Sequence, residues 1–401
     1  MGDREAEHLG ARAGSLGALR VLVLSPTLPW PLDAGGRIRT YYLLRELSRK
    51  HEVHLWAVRG VDSPGDAGER VSEVCSELRL FDGNSLPVMR RLAAPRKERW
   101  FHSRALGEAL RSEVGPEAFD LIHLDEPCQL RDLPGTPLPP LLVHHHKLDL
   151  EYAQALEGAI EVERWRLLES ELLERCVHHV FCSEEDRARF GERHPRAIGH
   201  VVESGVDLDF FAPHEVERET RRLLCLGSLD YEPNALGLRR FLASGWPSLR
   251  SRFPDLQLDL VGRAPEALGL SSLPAGVELV GAVEDVRPWL ARATALVVPL
   301  EVGGGTRLKI VEALAMECPV ISTDIGLEGL DLDDDRHVLR AHDLNGLPSA
   351  ITRGLERPEV LSTSAHAGAA RVRERYGWPR LSKALSAAYA GLKHCEEHAA
   401  K

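Results

Sequence analysis

The sequence predicts an α/β protein built from two Rossmann-like domains, on three observations. Apolar runs of strand length alternate with longer segments of helical period, which is typical of parallel α/β architecture. The alternation restarts after a polar, proline-containing stretch at 207–219. A chain of 401 residues is also too long for one ordinary core and suits two domains. Ligands of such folds bind at the carboxyl ends of the strands, in the cleft between the halves, so we expect the functional residues there.

The first half opens with the nearly continuous apolar run 19–25, as expected for a strand covered on both faces. Three prolines and Gly35-Gly36 then lead into a segment of helical period at 37–49. The other elements predicted in this half are a long helical region at 150–177 and strands at 53–58, 119–124, 141–145 and 179–183.

The second half repeats the pattern. Its predicted strands cover 222–226, 256–261, 277–280, 296–300 and 319–322, and its predicted helices cover 235–252, 286–292 and 307–316. The predicted domain organisation is a disordered leader at 1–18, an N-terminal domain at 19–206, a C-terminal domain at 207–375 and a terminal segment at 376–401. The leader mixes acidic and basic residues with Gly and Ala and lacks the apolar core of a signal peptide.

Composition narrows the class of protein. Hydrophobic residues make up 43% of the chain, and no apolar run approaches the ~20 residues of a membrane-spanning helix. The seven cysteines are scattered without a CxxC pair, which predicts neither a disulfide framework nor a zinc site. A net charge of −11 argues against nucleic acid as the main partner. These features together predict a cytoplasmic protein.

The most informative segment is PLEVGGGTRLKIVEALAM at 299–316. A buried strand ends, glycines follow, Thr306 is a candidate cap, and a good helix begins, so a phosphate can approach the backbone N–H groups at the helix start. Arg307 and Lys309 add cations that are unfavourable beside a helix N-terminus unless an anion offsets them. Glu312 lies at the edge of the apolar stripe, where a carboxylate can accept both hydroxyls of a ribose. The alternative is a glycine-rich loop with a solvated Lys309–Glu312 pair.

A run of three histidines closes a predicted strand of the first half. His144 and His146 are predicted to share one face and His145 to point the other way. Contact with a donor or acceptor, a structural role and a metal site are the three interpretations, but no further spaced ligand is evident. Asp207-Leu-Asp209 matches a metal-binding Asp-x-Asp only formally, because it begins the interdomain stretch. We therefore predict no metal site.

Taken together, these motifs resemble the group-1 glycosyltransferases of the GT-B fold over about 19–392, most of all the subgroup with GGGTRLK-x-x-EA. The other matching segments, in chain order, are Gly35-Gly36, FDLIHLDEP at 119–127, the strand ending in His146, FCSE at 181–184, SGVD at 204–207, GSLDYEPN at 227–234, LVGR at 260–263, GAVEDV at 281–286 and YGW at 376–378. The resemblance implies two domains facing each other across a cleft, with a C-terminal helix crossing back to the N-terminal domain. It also implies a retaining, metal-independent enzyme that needs no cofactor and uses a nucleoside diphosphate sugar, with UDP favoured.

Carried over by position, the resemblance implies that Glu312 holds the donor ribose. The implied contacts to the rest of the donor come from Gly35, Gly36, Gly205, Gly227, Ser228, Gly304, Gly305, Thr306, Arg307 and Lys309. His146 and Glu301 are the implied catalytic residues. Many relatives have a first glutamate eight positions before the one equivalent to Glu312. This chain has Gly304 at that position, and Glu301 can take the role of the missing glutamate only if the loop bends Glu301 back.

The acceptor candidates are His123, Asp125 and Glu126, just past a strand of the first half, with an exposed polar loop as the alternative. A non-catalytic scaffold that binds nucleotide sugars is the second function considered, because Gly304, Lys147 and Ser204 depart from the pattern. Sugar-nucleotide epimerisation or phosphorolysis on the same fold is the third. The acceptor class stays open among small molecules, lipid-linked intermediates and glycans.

A basic, aromatic segment stands out in this acidic chain. Six cations surround Trp100-Phe101, namely Arg90, Arg91, Arg96, Lys97, Arg99 and Arg104. One interpretation is a surface that meets an anionic acceptor or a membrane face, with steep salt dependence and loss of binding when Arg90, Arg91, Arg96 and Lys97 are removed together. The other is a solvated connector running into the next helix.

Overall fold

The computed structural model describes residues 17–60, 64–135, 137–214, 216–305 and 307–399. The predicted leader at 1–18 lies almost wholly outside these residues. The chain divides into two compact units. The N-terminal unit comprises the residues up to Val202 together with those from Pro379 onward, and the C-terminal unit is Glu203–Trp378.

The N-terminal unit is built on a parallel sheet of seven strands in the order β3-β2-β1-β4-β5-β6-β7. Its strands are β1 Arg20–Ser25, β2 Glu52–Arg59, β3 Glu77–Asp82, β4 Leu121–Leu124, β5 Leu141–His145, β6 His178–Phe181 and β7 Ile198–Val201. Its helices before the chain leaves the unit are α1 Gly35–Leu47, α2 Ala67–Ser72, α3 Val88–Ala93, α4 Arg96–Phe101, α5 Arg104–Glu113, a 3-10 turn at Pro127–Asp132, α6 Asp149–Leu156, α7 Ala159–Arg175 and α8 Glu184–Arg193.

The C-terminal unit has a parallel sheet of six strands in the order β10-β9-β8-β11-β12-β13. Its strands are β8 Arg222–Leu226, β9 Gln257–Val261, β10 Val277–Gly281, β11 Ala295–Val298, β12 Val320–Thr323 and β13 Leu339–Ala341. Its helices are α9 Glu232–Arg240, a π turn at Phe241–Gly245, α10 Trp246–Arg252, a 3-10 turn at Pro265–Leu268, α11 Arg287–Arg292, α12 Leu308–Ala315, α13 Asp324–Leu327, α14 Leu347–Glu356 and α15 Pro358–Arg375.

Both sheets reverse their strand order beside their first strand, so each has a switch point at the carboxyl ends of two neighbouring strands. These points lie between β1 and β4 and between β8 and β11. All residues of β4 and β11 are buried, since helices cover both faces of a parallel sheet and favour continuous apolar runs. The predicted α/β class with two Rossmann-like sheets is confirmed.

The last helix, α16 Trp378–Ala399, packs for most of its length in the N-terminal unit. The hydroxyl of Tyr389, which is fully buried, lies 2.7 Å from Nδ1 of His123 on β4. Lys393 forms an ion pair with Asp120 at 2.5 Å, and Ser386 lies 3.3 Å from Nε2 of His51. The final helix therefore closes the core of the unit in which the chain began.

Histidines occupy much of the N-terminal core around β5 and β6. Nε2 of His145 lies 3.1 Å from Nδ1 of His179, and both rings pack against Phe190. Burial, supported by neighbouring histidines, lowers the pKa of His179 to about 4 and that of His145 well below its usual value. Both imidazoles are therefore neutral in the folded protein at neutral pH.

We expect the N-terminal unit to lose stability as the pH falls from about 6.5 towards 4. In that window the unfolded chain binds protons at His145 and His179, whereas the folded chain, whose histidine pKa values are depressed, does not. Thermal unfolding recorded between pH 7.5 and 4.5 measures the loss. The double variant His145→Phe/His179→Phe keeps the packing and removes both titrating groups, so its unfolding temperature should depend less steeply on pH. An unchanged slope would contradict this account.

Candidate functional site

The glycine loop lies at the carboxyl end of β11, at the switch point of the C-terminal sheet, and runs into α12. Gly303 and Gly305 have φ values of 136° and 76°, which a residue with a side chain rarely adopts. Thr306, predicted as the cap, lies outside the described residues, and Arg307 occupies the N-cap position of α12. The loop therefore brings bare backbone to the start of a helix, where N–H groups favour an anion.

Arg307 and Lys309 occupy different positions around this loop. The buried guanidinium of Arg307 donates to the carbonyl of Gly304 at 2.8 Å, and also to those of Gly305 and Ile325. It thus ties the loop to the start of α13. Nζ of Lys309 donates to the carbonyl of Leu226 and lies 3.0 Å from Oδ1 of Asn234. Lys309 is therefore directed at the end of β8 and not at Glu312, so the solvated Lys309–Glu312 pair considered above does not form.

The end of β8 is packed too closely for side chains at two glycines. A Cβ at Gly227, which has a φ of 135°, would lie 2.7 Å from Nζ of Lys309. A Cβ at Gly262 would lie 1.9 Å from the carbonyl oxygen of Gly227. The ammonium group of Lys309 therefore lies close to the backbone of Leu226 and Gly227, and Ser228 is the next residue along the chain.

Glu312 lies one turn into α12 and is partly buried. Among the described residues, no group donates a hydrogen bond to its carboxylate. Burial raises the pKa of Glu312 to about 7, although Lys309 acts in the opposite direction. Burial likewise lowers the pKa of Lys309 to about 8. A partly exposed carboxylate that accepts no hydrogen bond from a described residue can accept from the hydroxyls of a ligand.

Glu301, the candidate for the missing first glutamate, forms an ion pair with Arg240 at 2.7 Å. Its carboxylate is therefore engaged on α9 in this structure. Sequence reasoning assigned no role to Asn234 or Arg263, yet both border the same site. Nε of Arg263 donates to the Ser228 hydroxyl at 2.9 Å, and Nδ2 of Asn234 donates to the Ser228 carbonyl at 2.8 Å. Both lie in segments that carried the family resemblance, which was the available signal.

The second candidate site lies in the N-terminal unit, past the carboxyl ends of β4 and β5. Asp125 accepts from Nε2 of His146 at 3.1 Å through one oxygen. Its other oxygen accepts from the hydroxyls of Ser25 at 2.9 Å and Thr40 at 2.8 Å. Burial acts to raise the pKa of Asp125, but His146, His123 and Thr40 outweigh it and lower the pKa to about 2. Asp125 is thus an ionised carboxylate that orients His146.

Orientation by Asp125 leaves Nδ1 of His146 buried and without a hydrogen-bond partner among the described residues. A Cβ at Gly36 would lie 3.1 Å from this nitrogen, so a side chain there would crowd it. Because Nε2 donates to the carboxylate, Nδ1 is the ring nitrogen that is left for a ligand. The arrangement presents one free imidazole nitrogen beside the first turn of α1.

The predicted facing of the three histidines is confirmed. The rings of His144 and His146 lie 4.9 Å apart on one side of β5, whereas His145 packs with His179 on the other. His123, Asp125 and His144 offer ligand atoms within 4.8 Å of one another. Yet Nε of Arg39 donates to Nε2 of His144 at 2.9 Å, which places the ring proton on Nδ1. A protonated nitrogen cannot hold a cation, and Asp125 already accepts three hydrogen bonds, so the geometry does not favour a metal.

The acceptor candidates differ in their surroundings. His123 lies within β4 and is 3% exposed, with the Tyr389 hydroxyl 2.7 Å from its Nδ1, so it is an interior residue of the sheet and not part of a loop past the strand. Asp125 is buried on His146. Glu126 forms an ion pair with Lys97, and its Oε1 lies 3.8 Å from Nδ1 of His146. Of the three, Glu126 alone lies beside the free nitrogen of His146.

Two further predicted positions lie where the chain enters the C-terminal unit. Gly205 is buried, and the next residue, Val206, bridges to Gly377. One oxygen of Asp207 accepts from the backbone N–H groups of Asp209 and Phe210 at 3.1 and 3.2 Å. Asp207 therefore caps a turn, which accounts for the Asp-x-Asp pattern without a metal.

Comparison with known families covers both units. Residues 34–210 match the model of Glycosyltransferase Family 4, and residues 220–357 match that of Glycosyl transferases group 1. A curated relative, phosphatidyl-myo-inositol mannosyltransferase of Mycolicibacterium smegmatis, is 28% identical over 208 residues. The match covers 48% of this chain and 53% of the relative, so the chain spans about half the length of that relative.

Solved structures share the fold at low identity. Sucrose-phosphate synthase from Thermosynechococcus elongatus aligns with a TM-score of 0.73 at 20% identity, covering 94% of this chain and all of its own. Anabaena HepE in complex with UDP and glucose aligns with a TM-score of 0.68 at 13% identity, covering 93% of this chain and all of its own. The two parallel sheets therefore belong to the GT-B fold.

Proposed function

Both units match glycosyltransferase families, which supports a group-1 glycosyltransferase, and from this premise we propose a reaction. The protein moves a sugar from a nucleoside diphosphate sugar to an acceptor hydroxyl, with retention of the anomeric configuration. The observation that carries the proposal is the glycine loop that opens onto α12, with the Lys309 ammonium at the end of β8. One turn into α12, the carboxylate of Glu312 accepts no hydrogen bond from a described residue. The loop N–H groups and the cation suit a diphosphate, and the carboxylate of Glu312 suits the hydroxyls of the ribose attached to it.

The donor is held in the C-terminal unit. The N–H groups of Gly304 and Gly305 and the start of α12 face the diphosphate, Lys309 adds positive charge from below, and Glu312 accepts the ribose hydroxyls. Ser228, positioned by Arg263, borders the same phosphates. UDP is the proposed nucleotide, because the similar HepE structure contains UDP. Arg307 acts through the loop that it ties down.

In the transfer step the bond between the anomeric carbon and the diphosphate oxygen breaks, and the acceptor oxygen bonds to the same face of that carbon. The acceptor proton passes to the leaving diphosphate, so atoms and charge balance without a protein nucleophile. Stabilisation of the departing diphosphate by the loop and Lys309 supplies the electrostatic part of catalysis. His146, whose ring Asp125 orients, contacts the donor sugar or the acceptor.

Donor binding and turnover test the proposal together. A nucleoside diphosphate bound only by the native protein should raise the unfolding temperature as its concentration rises. UDP is expected to do so more strongly than GDP or ADP, and UDP-sugars should be slowly hydrolysed to UDP. NMR of the released or transferred sugar then gives the anomeric configuration. Stabilisation without turnover would favour the non-catalytic scaffold, and conversion of the sugar without release of UDP would favour an epimerase.

Chelation should leave turnover largely intact, because protein groups and not a metal are proposed to neutralise the diphosphate. Donor hydrolysis is measured after treatment with EDTA, and EDTA saturated with Mg²⁺ serves as the control. Loss of activity that Mn²⁺ or Mg²⁺ restores would contradict metal independence. It would return attention to the His123, Asp125 and His144 cluster and to Asp207-x-Asp209.

A further inference from the structure

The N-terminal unit carries an exposed apolar surface, and none of its residues belongs to either candidate site. Among the described residues, its members are the five most exposed large apolar side chains: Val88 at 74%, Met89 at 79%, Leu92 at 67%, Trp100 at 66% and Ile160 at 70%. Helix α3 contributes three of them and has no buried residue at all. A helix with this composition normally buries one face, so its outward apolar side chains call for a partner.

Hydrogen bonds and an ion pair join the three elements that carry the apolar surface. Nε of Arg164 on α7 donates to the carbonyl of Leu92 at the end of α3, at 3.1 Å. Glu161 on α7 accepts from the backbone N–H of Arg96 at 2.8 Å and from Arg99 at 3.0 Å, both on α4. Ile160 directly precedes Glu161. The five apolar side chains are thus displayed by one fixed framework.

Three of the six cations of the basic segment, Arg90, Lys97 and Arg99, form ion pairs within the N-terminal unit, so the segment as a whole is not a solvated connector. Glu98, 1% exposed, forms ion pairs with Arg90 and Arg131. Lys97 pairs with Glu126, and Arg99 with Glu161. Removing Arg90 and Lys97, as the sequence-based test required, would leave carboxylates buried without their cations and would unsettle the fold. That variant cannot serve as a binding test.

Two exposed cations of the segment remain beside the apolar side chains. Among the described residues no carboxylate lies within ion-pair distance of Arg91 or Arg96, and both residues are exposed. Between 83 and 107 the sequence contains one acidic residue, Glu98, which is buried. Segment 83–107 is therefore locally positive and apolar in a chain with a net charge of −11, and the carboxylate of Glu157 is the acidic group that interacts with Arg96. That combination complements an anionic lipid surface.

We propose that the apolar surface inserts into the headgroup region of an anionic phospholipid bilayer. Methionine, leucine and valine enter the acyl boundary without a complementary shape, and tryptophan favours the headgroup level. Arg91 and Arg96 meet the lipid phosphates. None of the described helices combines the length and apolar content that crossing a bilayer demands. The proposed contact is with the membrane surface, and burial of the apolar side chains contributes more to it than charge does.

Vesicle flotation with the full-length protein tests this proposal. Vesicles of phosphatidylcholine with a third of phosphatidylglycerol should bind the protein, and pure phosphatidylcholine should bind it more weakly. Met89→Ser/Leu92→Ser/Trp100→Ser should lower partitioning at least about a hundred-fold, since each side chain contributes on the order of ten-fold. Arg91→Glu/Arg96→Glu should abolish the preference for the anionic lipid. Leu270→Ser/Leu273→Ser is the control, because it removes two exposed leucines of the C-terminal unit.

The salt dependence of binding distinguishes the contribution of the apolar side chains from that of Arg91 and Arg96. With two unpaired cations, binding should fall only a few-fold from low to moderate salt, not steeply. Protein that stays soluble with both lipids at low salt, or a triple variant that floats like the parent, would overturn the proposal. So would a dimer that the triple variant abolishes, since the surface would then join two copies. Unchanged unfolding temperature and UDP affinity in the triple variant keep this test independent of the proposed reaction.

Discussion

Glu312→Ala is expected to weaken donor binding by roughly 2–4 kcal/mol, the scale for removing one partner of a charged hydrogen-bonded pair. The carboxylate is partly buried and accepts no hydrogen bond from a described residue, so the ribose hydroxyls would be its donors. Calorimetric titration with UDP measures the loss. Glu278→Ala, an exposed glutamate of the same unit, is the control. Equal UDP affinity in folded Glu312→Ala would remove Glu312 from the site.

The pH dependence of the same residue sharpens the test. Since burial raises the pKa of Glu312 to about 7, UDP affinity should rise as the pH rises through 7 and the carboxylate ionises. In the free protein the sign is opposite. A pKa raised above the unfolded value of 4.5 means that stability is lost as the pH rises from 4.5 to 7. Glu312→Gln should therefore be more stable than the parent at pH 8, yet bind UDP weakly at every pH.

His146→Ala is expected to lower the turnover number for donor hydrolysis by roughly 10²-fold, the scale for misplacing the reacting atoms by about 1 Å. Asp125→Asn tests the orientation separately, because it keeps the shape of the side chain and removes the charge that fixes the ring. It should lower kcat about ten-fold or more and change KM little. Asp82→Asn, on an exposed strand end, is the control.

A purely structural Asp125 would give a different result. Loss of its three hydrogen bonds would then lower the unfolding temperature and raise KM, with kcat restored at lower temperature. A folded Asp125→Asn protein with the parental kcat would show that His146 needs no orientation. A folded His146→Ala protein with full turnover would remove His146 from the reaction while leaving the donor site of the C-terminal unit untouched.

Elements buried on both faces could be predicted from the sequence. The strands at 141–145 and 222–226 have the predicted bounds, because continuous apolar runs are specific to covered strands. Of the four edge strands, β10 was predicted at 277–280, and the other three were missed. Strand β3, ELRLFD, carries charge on alternate residues, and β7 and β13 have only four and three residues. The predicted helix at 150–177 is two helices, since Gly158 caps the second.

The backbone of the candidate sites could be predicted, but the partners of their side chains could not. The glycine loop and the start of α12 follow from local spacing. The contact of Lys309 with Leu226 and Asn234 joins residues 83 and 75 positions apart. The Ser25 and Thr40 contacts of Asp125 span 100 and 85. Such pairings depend on strand order, which no local pattern encodes. The sequence therefore predicted that Asp125 binds the acceptor and did not reveal its hydrogen bond with His146.

The return of α16 to the N-terminal unit makes the two units unequal as pieces of chain. The C-terminal unit is one uninterrupted stretch, Glu203–Trp378, whereas the N-terminal unit is assembled from both ends of the polypeptide. During synthesis the N-terminal unit cannot finish folding until its last segment has left the ribosome. The contacts of His123 with Tyr389 and of Asp120 with Lys393 form only after that segment is available. The C-terminal unit can be expressed in isolation as the single stretch Glu203–Trp378, without a linker. The N-terminal unit needs a linker that replaces Glu203–Trp378 and joins Val202 to Pro379.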